Sequence, residues 1–408
     1  MSMEKILLFS RPVLAAVLLI GALPMFAQSE RTGKDGNAKV GRLVVVGDSL
    51  SAGFQNFSLF DSASSPLAPL GGQEHGYTAV VAAQAGVSLT MPLISYPGIP
   101  PALMLDASEQ IVRAAGIGAR ENPGTQAYDL SVPGFTVGNA LSYPFPGSPA
   151  TNAIDAMSDS ILAEGTGACG PFPLGTSLVV SEVACAIQLK PQTILVSIGN
   201  NDALQALTSG TPPTAVATFA EQYSLLMGGL ASTGAHIVVS NIPDVSAIPF
   251  LVPVPAFKAI CPSPAPPLPS TVTNADFVVV NIENPAATTF NICYNYAVRS
   301  AALIAQAKTA VIQYNQIIES EALFLGATVV DLNGLFAGLA VTGYNVGGHH
   351  LTTGFLGGLF SLDGIHPTNT GYAILANETI KTMNRQIHTG IPPVSVEQVA
   401  ATDPLILP

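Results

Sequence analysis

Residues 43–54 read LVVVGDSLSAGF, four apolar residues running straight into Gly47-Asp48-Ser49. A short apolar, β-branched run bounded by a turn signal reads as a strand buried on both faces, and such strands belong to parallel sheets covered by helices. A small polar turn carrying one serine at the end of that strand admits two readings. It is an ordinary strand-to-helix turn, built from residues that favour turn conformations. Or it presents the Ser49 hydroxyl as a nucleophile, with Gly47 letting the chain turn sharply and a following helix aiming free N–H groups around the oxygen.

Three more β-branched runs recur: QTILVSIGNND at 192–202, HIVVSNIPD at 236–244 and ATVVDLNG at 327–334. Between the second and third of the four, Val216, Phe219, Tyr223, Leu226 and Leu230 recur at spacings of 3, 4, 3 and 4. That periodicity predicts a helix, with Thr214 as its N-cap after two prolines. Further helical patterns fill about 298–323 and the segment carrying Ala373, Ala376, Ile380, Met383 and Ile387. Strands alternating with helices predict an α/β fold with a mostly parallel sheet, whose ligands sit beyond the carboxyl ends of the strands. Segments of about 54–127 and 245–297 break the alternation and read as two long insertions, and 391–408 reads as an irregular C-terminal extension.

The residues just after each strand therefore carry the chemistry. In YDLSVPGFTVGNAL (128–141), Gly134 either offers an N–H to a developing oxyanion or simply makes a turn. In Gly199-Asn200-Asn201-Asp202, an Asn side chain can donate to an oxyanion and Asp202 can tie down the loop, although both residue types also favour turns. In SLDGIHPTNTGYAILAN (361–377), Asp363 and His366 lie three apart, on one face of a tight turn or first helical turn. Asp363 would hold one imidazole nitrogen and leave the other free as a general base, with Pro367 stiffening the turn. His75, His236 and His388 lack an acidic or serine partner at a telling spacing, and His349-His350 sit in a glycine-rich loop. Neither H-E-x-x-H nor G-x-S-x-G occurs, so zinc-hydrolase chemistry and the usual nucleophile elbow are not indicated.

Composition bounds the setting. The chain has 408 residues, 48% hydrophobic and only 10% charged, enough for one large core domain with insertions. Lys5 and Arg11 precede an uncharged apolar stretch that runs from Pro12 to the residue before Glu30, with Ala27 available for cleavage. This reads as a signal peptide over 1–27 ahead of a catalytic domain at 28–390, an uncleaved anchor being the alternative. Cleavage leaves 12 basic against 25 acidic residues (14 − 2 and 26 − 1), a net charge of −13. That excludes nucleic acid as a partner on Coulombic grounds, and after cleavage no stable membrane insertion is expected. Export, to a periplasm, cell surface or medium, suits the four cysteines. Three pairings are open, of which Cys169 with Cys185 and Cys261 with Cys293 each clip a local loop; a zinc site would call for a C-x-x-C spacing that is missing.

Taken together, GDSLSAGF, SVPGFTVGNAL, GNND and DGIHP, in that order between about 42 and 387, resemble the four blocks of the GDSL family of SGNH hydrolases. The resemblance implies a flavodoxin-like three-layer α/β/α sandwich. It implies Ser49, His366 and Asp363 as a catalytic triad, and the Ser49 N–H, Gly134 N–H and Asn201 side chain as an oxyanion hole. Asp48 and Asp202 support these groups, and no cofactor is called for. The expected activity is that of an exported serine esterase or lipase acting through an acyl-enzyme on carboxylic esters, with small or lipid-like acyl esters as substrates. The uncharged segments 89–105 and 247–268 would suit walls of an acyl site, and equally suit packing. Two other functions compete. An O-acetyl esterase or acyltransferase acting on carbohydrate would use the same triad, although the chain has no Trp to form a sugar platform. A non-catalytic binding protein would be expected to have lost a triad residue, and none is lost.

Overall fold

The computed structural model describes residues 40–61, 72–108, 110–145, 150–164, 169–281 and 290–406, so the leader expected at 1–27 lies outside the described residues. Each of the four β-branched runs forms one strand of a parallel sheet. In spatial order these are β1 (Leu43–Gly47), β2 (Thr193–Ser197), β3 (His236–Ser240) and β4 (Thr328–Val330). An extended segment at 128–132 pairs in parallel with the open edge of β1. Val45 N–H donates to the Tyr128 carbonyl (2.9 Å), Leu130 N–H to the Val45 carbonyl (3.0 Å) and Val132 N–H to the Gly47 carbonyl (3.1 Å). With that segment counted, the strand order is 2-1-3-4-5, the flavodoxin-like doubly wound arrangement. Its order reverses between β1 and β2, and a crevice opens at their carboxyl ends.

The helices that frame this sheet are α1 (Tyr77–Ala85), α2 (Val137–Leu141), α3 (Glu182–Leu189), α4 (Asn200–Thr208), α5 (Val216–Ala231), α6 (Ala301–Leu325), α7 (Leu332–Thr342) and α8 (Asn369–Gln386). Side chains alternate along a strand, so β1 feeds two cores. Leu43 and Val45, with Leu195 and Val238, pack against Val81 of α1 and Leu375, Ile380 and Met383 of α8. Val44 and Val46, with Ile194, Val196 and Val239, pack against Val183 of α3, Phe219 and Leu226 of α5, and Val311 and Ile318 of α6. Three layers result, because every residue of β1 and β2 is buried.

Several local expectations change. Helix α5 begins at Val216 without a side-chain cap, because its N-cap position falls on Ala215 rather than Thr214, whose N–H donates to the Asp202 carbonyl (2.8 Å). Helix α6 starts and ends slightly later than its sequence pattern: Ser300 caps it by accepting from Leu303 N–H, and Gly326 closes it in the left-handed conformation. Within 54–127, Leu103–Leu105 and Ile111–Arg113 form an antiparallel pair. Within 245–297, Leu251–Pro253, Phe277–Val280 and Tyr296–Arg299 form a three-stranded antiparallel sheet around Val254, Phe257, Cys261 and Val278. Cys169 is bonded to Cys185 and Cys261 to Cys293. Among the described residues, no helix is long and apolar enough to cross a membrane.

The C-terminal extension is more ordered than its sequence implies. Ser395 caps a short helix, Val396–Ala400, whose Val396 and Ala400 pack with Ile374 of α8. Beyond it, the buried Asp403 carboxylate accepts both the N–H and the hydroxyl of Thr370, each at 2.8 Å, in the first turn of α8. It thereby satisfies a free N–H at a helix start. Asp403→Ala should lower stability by about 1–3 kcal/mol, read from urea unfolding; unchanged stability would mean that the tail only lies on the surface.

Candidate active site

Strand β1 ends at a position with no room for a side chain. A Cβ on Gly47 would lie 2.1 Å from Ser51 Oγ and 2.4 Å from the Ser197 carbonyl oxygen at the end of β2. The chain then makes a turn rather than the expected helix: the Asp48 carbonyl accepts Ala52 N–H and the Ser49 carbonyl accepts Phe54 N–H, both at 3.0 Å. Asp48 spans the switch point, accepting Leu50 N–H (3.1 Å) on one oxygen and Asn200 Nδ2 (2.9 Å) on the other.

Ser49, His366 and Asp363, 317 and 3 residues apart along the chain, lie in one hydrogen-bonded row. His366 Nε2 is 2.8 Å from Ser49 Oγ, and His366 Nδ1 is 2.9 Å from Asp363 Oδ2. The D-x-x-H spacing works because the segment wraps around the carboxylate: Asp363 Oδ1 accepts the N–H groups of Ile365 and His366, each at 2.8 Å. Oδ2 also accepts Phe57 N–H at 2.7 Å. Burial pushes the Asp363 carboxyl up, but the His366 ring and these donors outweigh it and hold it below the usual carboxylate range. An ionised carboxylate on Nδ1 fixes the tautomer with its proton there and leaves Nε2 free to accept from serine. The Phe54 ring meets the imidazole edge-on, 4.9 Å between centroids.

Gly134 takes a left-handed conformation (φ 88°), and a Cβ there would lie 2.8 Å from Ile154 Cδ1. One residue further, the Phe135 carbonyl accepts from Asn201 Nδ2 at 2.9 Å, which ties the Gly134 turn to the start of α4. An Asn amide has two hydrogens, so this bond leaves a second one to donate. Asp202 anchors the same loop by accepting Val137 N–H (3.0 Å) in the first turn of α2.

The sequence concealed one group at this site. Glu182, in the first turn of α3, is fully buried and accepts Gly47 N–H at 2.7 Å and Val132 N–H at 3.3 Å. It joins the end of β1 to the neighbouring edge segment, directly behind the serine turn. An acid just after a Ser N-cap reads as a helix-dipole partner, and nothing in the local pattern marks it otherwise. Burial raises its pKa well above the usual range despite the two N–H donors, and Asp48 and Asp129 push it further. Burial likewise pushes both Asp48 and Asp129 up to about 6.

Beside Ser49 and His366 opens a small apolar cavity of about 60 Å³, walled by Leu50, Leu204, Pro243, Val245, Ile248, Phe336, Phe360 and Ile365. The Phe336 and Phe360 rings lie 5.8 Å apart. Of the two segments suited to acyl walls, 247–268 supplies only Ala247 and Ile248, and 89–105 supplies nothing. Ile94, Ile99 and Leu103 of the latter are instead buried in the main core, because that segment packs under the loop at 54–60. Among the described residues, no cluster of His, Cys, Asp and Glu is placed to hold a metal ion.

A doubly wound α/β sheet with a Ser–His–Asp row at its switch point is the architecture of a serine hydrolase. The sequence also matches the GDSL-like lipase/acylhydrolase family over residues 43–379. The chain belongs to that family and is a carboxylic ester hydrolase. A search of curated proteins gives no match. Among solved structures, the chain is similar to LAE5, an alpha/beta hydrolase from the metagenome of Lake Arreo (13% identity, 86% of this chain and 97% of that one, TM-score 0.38). It is also similar to a lipase/acylhydrolase from Enterococcus faecalis (13% identity, 86% and 98%, TM-score 0.34) and to Axe2, an acetylxylan esterase from Geobacillus stearothermophilus (14% identity, 88% and 99%, TM-score 0.37).

The buried acids give the fold a pH signature. A carboxyl whose folded pKa lies above its unfolded value binds more protons when folded, so stability falls as pH rises from the unfolded value through the folded one. For Asp129 that window runs from 3.8 to about 6. Its Oδ2 lies 3.2 Å from Thr78 Oγ1, which donates to the Ser51 carbonyl at 2.7 Å. The single Thr78 hydrogen is shared between these two acceptors, so it only partly offsets the cost of a buried charge on Asp129. Asp129→Asn should fold and should remove up to about 3 kcal/mol of the decline in stability between pH 4 and 6. Urea melts of both proteins across that range check this; parallel pH profiles would show that Asp129 carries no strained charge.

Proposed function

We propose that this chain is an exported esterase that hydrolyses lipid-like carboxylic esters in two steps through an acyl-enzyme. The observation that carries this reading is the unbroken Asp363–His366–Ser49 row opening directly onto an apolar cavity. His366 Nε2 takes the Ser49 proton as Oγ attacks the ester carbonyl. The tetrahedral intermediate collapses as the imidazolium returns that proton to the leaving alcohol oxygen. Water, deprotonated by the same nitrogen, then releases the acid and regenerates Ser49.

The carbonyl oxygen, negative in both intermediates, would be held by the N–H groups of Ser49 and Gly134 and by the second amide hydrogen of Asn201. The bond from Asn201 to the Phe135 carbonyl supports this, since it fixes the amide beside the Gly134 turn. Asp48 and Asp202 would act as positioning residues, one bridging β1 to Asn200 and the other gripping α2. The acyl chain would enter the cavity toward Phe336 and Phe360, whose lining is mostly apolar, with Asn200, Asp244 and Thr353 as polar members besides Ser49 and His366. Export is supported by the basic-then-apolar leader and by the two disulfides.

Hydrolysis of p-nitrophenyl esters from acetate to palmitate tests this. Ser49→Ala should lose about a thousandfold or more in kcat. Asn201→Ala should lose on the order of a hundredfold, about 3 kcal/mol in activation free energy, with only a small drop in the unfolding midpoint from the lost bond to Phe135. Rates should rise beyond acetate. Equal rates in wild type and Ser49→Ala would remove the serine mechanism, and activity confined to acetate would replace the acyl reading by O-acetyl ester hydrolysis.

A further inference from the structure

Residues 332–362, between strand β4 and the Asp363–His366 turn, contain no Asp, Glu, Lys or Arg, in a chain whose net charge is −12. Helix α7 opens this stretch, and it lacks the polar outer face that a surface helix normally presents. Leu332 and Leu339 are buried beneath it, while Ala337, Gly338, Ala340 and Val341 face outward, Val341 being 86% exposed.

A second apolar feature stands in the same stretch. Thr352 N–H donates to the Gly357 carbonyl (2.7 Å) and Gly357 N–H to the Gly354 carbonyl (2.9 Å), forming a turn with Phe355 and Leu356 at its tip. Phe355 is 49% exposed and Leu356 39% exposed. Leu356 has φ 57°, the left-handed region where turns normally place glycine or asparagine. A branched apolar side chain is thus held in an unfavourable conformation and left in water. The exposure is relieved when the tip enters an apolar medium, while the backbone strain is kept to hold the side chain outward.

These features are continuous with the cavity. Phe336 and Ala340 of α7 line it, and Ala340 adjoins Val341; Thr353 lines it too, two residues before Phe355. We propose that Val341, Phe355 and Leu356 form a docking face for a zwitterionic or uncharged lipid surface, from which an ester passes into the cavity without crossing water. The inference rests on the ester-hydrolase reading of that cavity and assigns its substrate to aggregated lipid. Charge selects the kind of surface: 332–362 offers no Lys or Arg to anionic headgroups, and the acidic chain repels them.

Co-sedimentation of the signal-cleaved protein with phosphatidylcholine vesicles, beside hydrolysis of dissolved p-nitrophenyl butyrate, tests the proposal. Wild type and Ser49→Ala should sediment equally. The Val341→Asp/Phe355→Asp double variant should bind at least about tenfold more weakly, with butyrate hydrolysis and the unfolding midpoint unchanged. Leu356→Gly should raise the unfolding midpoint and still weaken binding, which separates docking from folding. Wild type remaining in the supernatant, variants binding like wild type, or tighter binding to phosphatidylglycerol vesicles would each overturn the docking face. Undiminished butyrate hydrolysis by Ser49→Ala would instead overturn the ester-hydrolase reading, whatever the vesicles show.

Discussion

Two strand ends approach so closely at Gly47 and Ser197 that one methyl group between them would collide with a carbonyl oxygen, and the rest of the site is arranged around that approach. Asp48 can reach Asn200 only because β1 and β2 end side by side, and Ser49 leaves the sheet at the same point. Glu182 then closes the other side of β1 by taking the Gly47 N–H. A larger residue at 47 would separate the strands where the doubly wound order reverses, and the crevice that holds the row would lose its shape.

The acids clustered there are kept in two ways. Asp363 collects the imidazole N–H and three backbone N–H groups, enough donors to stay ionised despite complete burial. Asp48, Asp129 and Glu182 have fewer donors, and burial raises all three pKa values. Like charges this close in a low dielectric repel strongly, so a site with one committed carboxylate and several reluctant ones concentrates its negative charge behind the imidazole.

Much of this was legible in the sequence, for physical reasons that differ by element. The sheet was legible because the four strands are short β-branched runs without Asp, Glu, Lys or Arg, the first two buried throughout. The Asp363–His366 pair was legible because a three-residue spacing is all that a wrapping turn needs. Glu182 was not, since its partners are backbone N–H groups of strands far away in sequence, which leave no side-chain pattern. The cavity walls were not, because they are gathered from the serine turn, α4, the loop after β3, α7 and the segment before His366, none conspicuous alone. Thr214 failed as a cap because the helix starts one residue later, with Ala215 at its N-cap, while Thr214 is tied to the Asp202 carbonyl, a partner that exists only in the folded chain.

The first insertion shows how an apolar segment can brace the Ser–His–Asp row without lining the cavity beside it. Asn56 and Phe57 both sit in the left-handed region (φ 52° and 56°), which asparagine tolerates but which costs about 1–2 kcal/mol at a residue such as Phe57. The strain places Phe57 N–H on Asp363 Oδ2, Asn56 N–H on Ser361 Oγ and Asn56 Oδ1 against Leu362 N–H. The insertion braces this loop from behind: Leu103 N–H donates to the Asn56 carbonyl, and Leu59 pairs with Ile99. The uncharged stretch around 89–105 thus buries itself to hold a strained loop, and the strained loop holds the carboxylate. Its apolar character follows from that burial, and the apolar walls beside the serine come instead from α7 and the loop after β3.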